Sequence, residues 1–120
     1  MAKDYLGTFG DFLVMKRKGR DMTIKDITKL LKMSEAYYCF IENGVRKAPD
    51  RKIQDRIADI LEFTQEERLL LYDLAGKTRG TVAEDLSEYI NSNSYVRMAL
   101  RRARDSKLSQ EKWLQFAYET

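Results

Sequence analysis

Histidine is absent from the 120 residues, and cysteine occurs once, at Cys39. This removes the commonest general base, the commonest metal ligand and any internal disulfide. Acid–base or nucleophilic work would fall to carboxylates, Lys, Tyr, Ser or the lone thiol, and none of these recurs at catalytic spacing. No catalytic residue, metal or cofactor is therefore expected. Gly76-Lys77-Thr78 has the ending of a phosphate-binding loop, but the leading glycine of that motif would fall at Leu71, with no strand pattern before it. Gly76 is expected instead to close a helix. The chemistry that does stand out is charge. Residues 16–56 hold twelve Lys or Arg against six Asp or Glu, in a chain whose net charge is +3. Residues 81–120 hold six of each sign. A local basic excess suits a polyanion, although a solvated helical surface carries the same charges.

The elements that must position these residues read as helices. The only proline is Pro49 and there are six glycines, too few breakers for many short strands. No apolar run approaches the ~20 residues of a membrane span. The leading MAKDYLGTFG lacks a basic segment followed by an apolar core, so no secretion signal is expected and the location expected is cytoplasmic.

Phe9, Phe12, Leu13 and Lys16 fall at helical spacing, ended by Gly19. Thr23 with Asp26 is a capping box for a second helix carrying Ile24, Ile27, Leu30 and Leu31 inward. It stops near Lys32-Met33. Ser34 caps a third, Glu35 to Asn43, ended at Gly44. A fourth follows Asp50, with Ile53, Ile57, Ile60 and Leu61 on one face. Thr64 with Glu67 caps a fifth, running to Ala75. Residues 77–80 read as the hinge. Thr81 with Glu84 then caps a sixth helix, Asn91 to Ser94 break it, a seventh carries Val96, Ala99, Leu100 and Ala103, and Ser109 caps the last. The expected class is all-α, with a domain at 1–77 and a helical extension at 78–120.

The informative stretch is Thr23 to Gly44: a short helix, a tight three-residue link and a second short helix, spaced so that their apolar faces meet at a steep angle. Thr28 falls at the crossing, Met33 plugs the turn, and Tyr38 and Ile41 point back to the core. Glu35, Ala36, Tyr37, Phe40 and Asn43 are left facing outward. TIKDITKLLKMSEAYYCFIENGVRKAP, with the run Ile41-Glu42-Asn43-Gly44 as its most specific part, resembles the Cro/repressor-type (XRE-type) helix-turn-helix domains. The likeness covers about residues 9–75.

The resemblance implies a five-helix repressor-like domain followed by a three-helix extension. It implies a structural pair between Arg17 of the first helix and Glu42, locking that helix to the end of the recognition helix. It also implies phosphate contacts at Thr23, Lys25, Ser34, Asn43, Arg46 and Lys47, with free N–H groups at the starts of helices two and three aimed at the DNA backbone. Base-facing positions are Glu35, Ala36, Tyr37 and Phe40. Glu35 can accept from a cytosine amino group, Ala36 can touch a thymine methyl, and Tyr37 can reach a phosphate. Phe40 has no hydrogen-bonding group, and Ile24 stands where the family often has Gln. Lys32 replaces the turn glycine, which is tolerable if it takes ordinary dihedrals.

Three functions follow as expectations. The first is a transcriptional regulator, a repressor of a phage or mobile element, binding double-stranded DNA as a homodimer. The second is a mobile-element interaction protein on the same scaffold (an anti-CRISPR, antitoxin or antirepressor) that also autoregulates. The third is RNA binding through Arg97, Arg101, Arg102, Arg104 and Lys107, of which Arg97, Arg101 and Arg104 share one face. Tyr89, Tyr95, Trp113 and Phe116 of the extension suit a dimer or protein-partner surface and equally an ordinary helical core.

Overall fold

A computed structural model describes residues 7–120, and the leading MAKDYL, on which the absence of a secretion signal was read, lies outside the described residues. Among these the chain is all-α, with eight helices and no strand: α1 (Phe9–Gly19), α2 (Ile24–Leu31), α3 (Glu35–Glu42), α4 (Arg51–Ile60), α5 (Gln65–Arg79), α6 (Glu84–Ser92), α7 (Ser94–Asp105) and α8 (Gln110–Glu119). No described helix is long and apolar enough to cross a membrane.

Local chemistry sets most helix starts. Thr8/Asp11, Thr23/Asp26 and Thr64/Glu67 each form a reciprocal capping box, in which the Thr hydroxyl accepts the third residue's N–H and that residue's carboxylate accepts the Thr N–H. Ser34, Asp50 and Ser109 cap α3, α4 and α8 with one such bond each.

The chain divides into two compact units, one ending at Asp85 and one spanning Leu86–Thr120. In the first, α1 packs on α3 and α5, α2 on α3 and α4, and α4 on α5. Phe9, Phe12, Leu13, Ile27, Tyr38, Ile41, Ile57, Leu61 and Leu71 form its centre, each buried. Met33 packs partly buried against that core in the α2–α3 link, and Thr28 is buried with its hydroxyl donating to the Ile24 and Lys25 carbonyls. Gly10 lets α1 approach the end of α3: a Cβ there would lie 2.0 Å from the Glu42 carbonyl oxygen.

Three sequence expectations are corrected. Gly76 does not close α5, which continues to Arg79 and ends at Gly80 with φ +69°. Gly76 is absent of side chain for another reason: the chain returning after the helix passes over it, and a Cβ would meet the Thr81 carbonyl oxygen at 2.8 Å. Residues 77–79 are therefore helical rather than a hinge, and the division falls after Asp85. Thr81 does not cap α6, which begins only at Glu84.

Lys32 also departs from expectation. It sits in the left-handed region at φ 58°, ψ 47°, where a Cβ costs about 1–2 kcal/mol. The turn keeps the backbone that glycine would favour. Lys32→Gly should therefore raise stability by about 1 kcal/mol, read as a higher thermal midpoint. An unchanged or lowered midpoint would contradict the assignment of strain to this residue.

Two carboxylates of the capping boxes couple this unit to pH. The hydrogen bond from Lys16, with the Thr64 N–H, holds Glu67 below its ordinary 4.5. The Thr23 N–H and hydroxyl hold Asp26 below 3.8. A lowered folded-state pKa contributes stability above the unfolded value and loses it as pH falls through the folded one. Acid unfolding should thus begin below about pH 4.5, and Glu67→Gln should flatten the stability–pH slope there. An acid limb identical in the variant would rule this out.

Candidate nucleic-acid interface

The recognition candidate α3 is held by an ion pair at its C-terminal end. Arg17 Nε donates to Glu42 Oε2 at 2.8 Å and Nη2 to Oε1 at 3.1 Å, a bidentate pair whose side chains are 8% and 7% exposed. Arg17 Nη1 also donates to the Met22 carbonyl at 2.8 Å, so one guanidinium ties α1, the α1–α2 loop and α3 together. Tyr38 lies buried beside the pair. Burial pushes its phenol well above the usual tyrosine range, and its hydroxyl has no hydrogen-bond partner among the described residues.

With Tyr38 and Ile41 turned inward, Glu35, Ala36, Phe40 and Asn43 are exposed. Tyr37 is not fully outward as expected: it is half-buried and packs against the core, because it lies only about 40° around the helix from inward Ile41, at the edge of the buried face.

Two shallow grooves meet α3. One runs past Lys18, Thr23, Lys25 and Glu35. The other runs past Tyr37, Arg46, Lys47 and Arg79. Glu35 and Tyr37 are about 200° apart around the helix, so the grooves flank it. Among the described residues Lys18, Lys25, Arg46 and Lys47 make no ion pair, whereas Lys16, Arg17, Arg20 and Arg51 are each paired with a carboxylate. Lys29, Lys32 and Lys52 also make no ion pair among the described residues but line neither groove, so four of the seven Lys or Arg of residues 16–56 left once internal bonds are removed stand beside the outward face of α3.

The helix starts are less open to anions than the resemblance implies. The Thr23 N–H is taken by the Asp26 carboxylate at 2.9 Å, and the Thr23 hydroxyl by the Asp26 N–H at 3.0 Å. Ser34 accepts from the Tyr37 N–H at 3.1 Å, leaving the Glu35 and Ala36 N–H groups without an acceptor in their own helix. Asp26 and Glu35 place acidic charge at these two starts. Asn43 Oδ1 accepts from the Val45 N–H at 3.1 Å, which shapes the loop and leaves the amide nitrogen to donate outward.

Residues with no sequence signal complete the support. Arg56 of α4 donates to the Leu30 and Leu31 carbonyls at 2.7 and 3.2 Å, so it caps α2 rather than adding to the free charge. Gln54, buried, donates to the Pro49 carbonyl at 2.8 Å and anchors the loop carrying Arg46 and Lys47. Both act across tertiary contacts, which periodicity and spacing do not encode.

The Leu86–Thr120 unit is built differently. No residue of α6, α7 or α8 is buried. Asn93 caps α7 by accepting from the Tyr95 and Val96 N–H groups, and Arg97 donates to the Ile90 carbonyl, closing the end of α6. Arg97 is thereby withdrawn from the basic face proposed for RNA. Tyr89, Tyr95 and Phe116 are exposed, and Trp113 meets Phe116 edge-on at 6.5 Å.

Comparison with family models, with curated proteins and with solved structures finds no match to this chain.

Proposed function

We propose that the chain is a Cro/repressor-type helix-turn-helix regulator that binds double-stranded DNA as a dimer, with α3 entering the major groove. The observation that carries the reading is the bidentate Arg17–Glu42 pair, which fixes an exposed helix face between two grooves holding Lys18 and Lys25 on one flank and Arg46 and Lys47 on the other. A helix in the major groove needs cations on both sides, because phosphate strands border the groove on both sides. In this reading Thr23, Ser34 and Asn43 join those cations on the backbone, while Glu35 and Ala36 meet base edges. One protomer offers few base-reading groups, so two half-sites are needed for a useful specificity ratio.

A second reading is favoured by one feature. Phe40 is 42% and Val45 68% exposed at or beside the same face, as suits a protein contact. An interaction protein on this scaffold, which also autoregulates, would use them. Selection of duplexes from a random pool by the full chain separates the two. An enriched inverted repeat is expected of the regulator, and a pool without enrichment turns the reading to the interaction protein.

A further inference from the structure

We infer that residues 86–120 are a self-association module, in which the apolar groove of one protomer is closed by the same unit of a second copy and the unit acquires a core only by pairing. The groove encloses about 920 Å³, walled mainly by Tyr89, Val96, Leu100, Leu108, Trp113 and Phe116. Its walls draw on all three helices, yet none of the three has a buried residue.

A unit of fewer than about 40 residues needs a disulfide, a metal or oligomerisation to stay folded. The only cysteine is Cys39, in the other unit, and no cluster of metal-binding side chains occurs among the described residues. Oligomerisation remains. The groove itself presents part of the area needed. Of its walls, Phe116 is 61%, Tyr89 60%, Leu100 39% and Trp113 37% exposed. With aromatic side chains presenting 150–250 Å² each, this bare apolar surface is on the order of 400 Å², half of one partner's ~800 Å² share of a standard interface.

Charge does not call for a strongly acidic or basic partner. Residues 86–120 hold six Lys or Arg against four Asp or Glu, a net +2 with the two signs interspersed, so the surface can complement itself about a two-fold axis. The choice of a second copy rests on the dimeric regulator proposed above; the need for an occupant does not.

Trp113 is the only tryptophan in the chain, is 37% exposed, and lines the groove, so it reports on closure. The experiment dilutes the full chain and follows mass by sedimentation and Trp113 emission together, without DNA. The expected result is a dimer-to-monomer transition whose midpoint coincides with a red shift of the emission. Phe116→Glu and, separately, Leu100→Glu should each weaken association about a hundredfold or more, since each buries an unpaired charge. Thermal unfolding of the first unit controls for misfolding, and Tyr89→Lys provides a variant at the groove edge. Arg46→Glu with Lys47→Glu should leave association unchanged. A monomer at every concentration overturns the inference, whichever colour Trp113 shows, as does a dimer unaffected by all three groove variants. A chain that dimerises in this way but binds no DNA would overturn the regulator and leave the module standing.

Discussion

Replacing Arg17 with methionine should cost the first unit about 3–5 kcal/mol, the penalty for leaving one member of a buried pair unmatched. The loss follows from the geometry. The Glu42 carboxylate would keep its buried place with both of its guanidinium bonds gone. The Met22 carbonyl would lose its donor as well. Against a total of about 5–15 kcal/mol for a domain, this brings the unit close to unfolding. Urea denaturation followed by circular dichroism measures it. Arg17→Met combined with Glu42→Leu should recover much of the loss, because two apolar groups of similar size leave no buried charge. A loss under about 1 kcal/mol for Arg17→Met would place the pair among surface ion pairs and remove the clamp that fixes α3.

The second large effect falls on binding. Arg46→Glu with Lys47→Glu should lower affinity for duplex DNA by about a hundredfold at ~0.1 M salt, and by the same factor for every sequence. Both side chains are exposed, make no ion pair among the described residues, and stand on a loop whose end is anchored by buried Gln54. Their reversal should therefore leave the fold intact and, on the proposed reading, remove two contacts to phosphate. The slope of log affinity against log salt should become shallower by about 2. Glu35→Gln, by contrast, should change which sequences are preferred while leaving the slope alone. Equal loss from both changes would show that Glu35 takes no part in base readout.

What the sequence made legible was local. The Thr23/Asp26 and Thr64/Glu67 boxes, the inward Tyr38–Ile41 spacing and the three-residue link each depend on residues within one or two turns of each other. The Arg17–Glu42 pair spans 25 positions and was reachable only through a family pattern. What escaped was set by the approach of distant segments. Gly76 has the composition of a helix end, but its role is to admit the chain passing over it. Gly10 admits the end of α3 in the same way. Arg56 counts as surface charge until α4 is placed against the end of α2. Lys32 hides a left-handed turn because the residue type that would announce it has been replaced. For the candidate site, the outward positions of α3 follow from spacing, while the partial burial of Tyr37 and the closure of the Thr23 N–H depend on packing and on the Asp26 rotamer.

On the proposed reading the α2–α3 surface lies on duplex DNA. The decisive measurement is fluorescence anisotropy of a labelled duplex titrated with the full chain across a salt series. Engagement of Lys18, Lys25, Arg46 and Lys47 predicts a linear fall of log affinity against log salt with a slope of about −3.6 or steeper per protomer. Absence of binding at low salt, or an affinity indifferent to salt, would rule out a DNA-binding role for this surface.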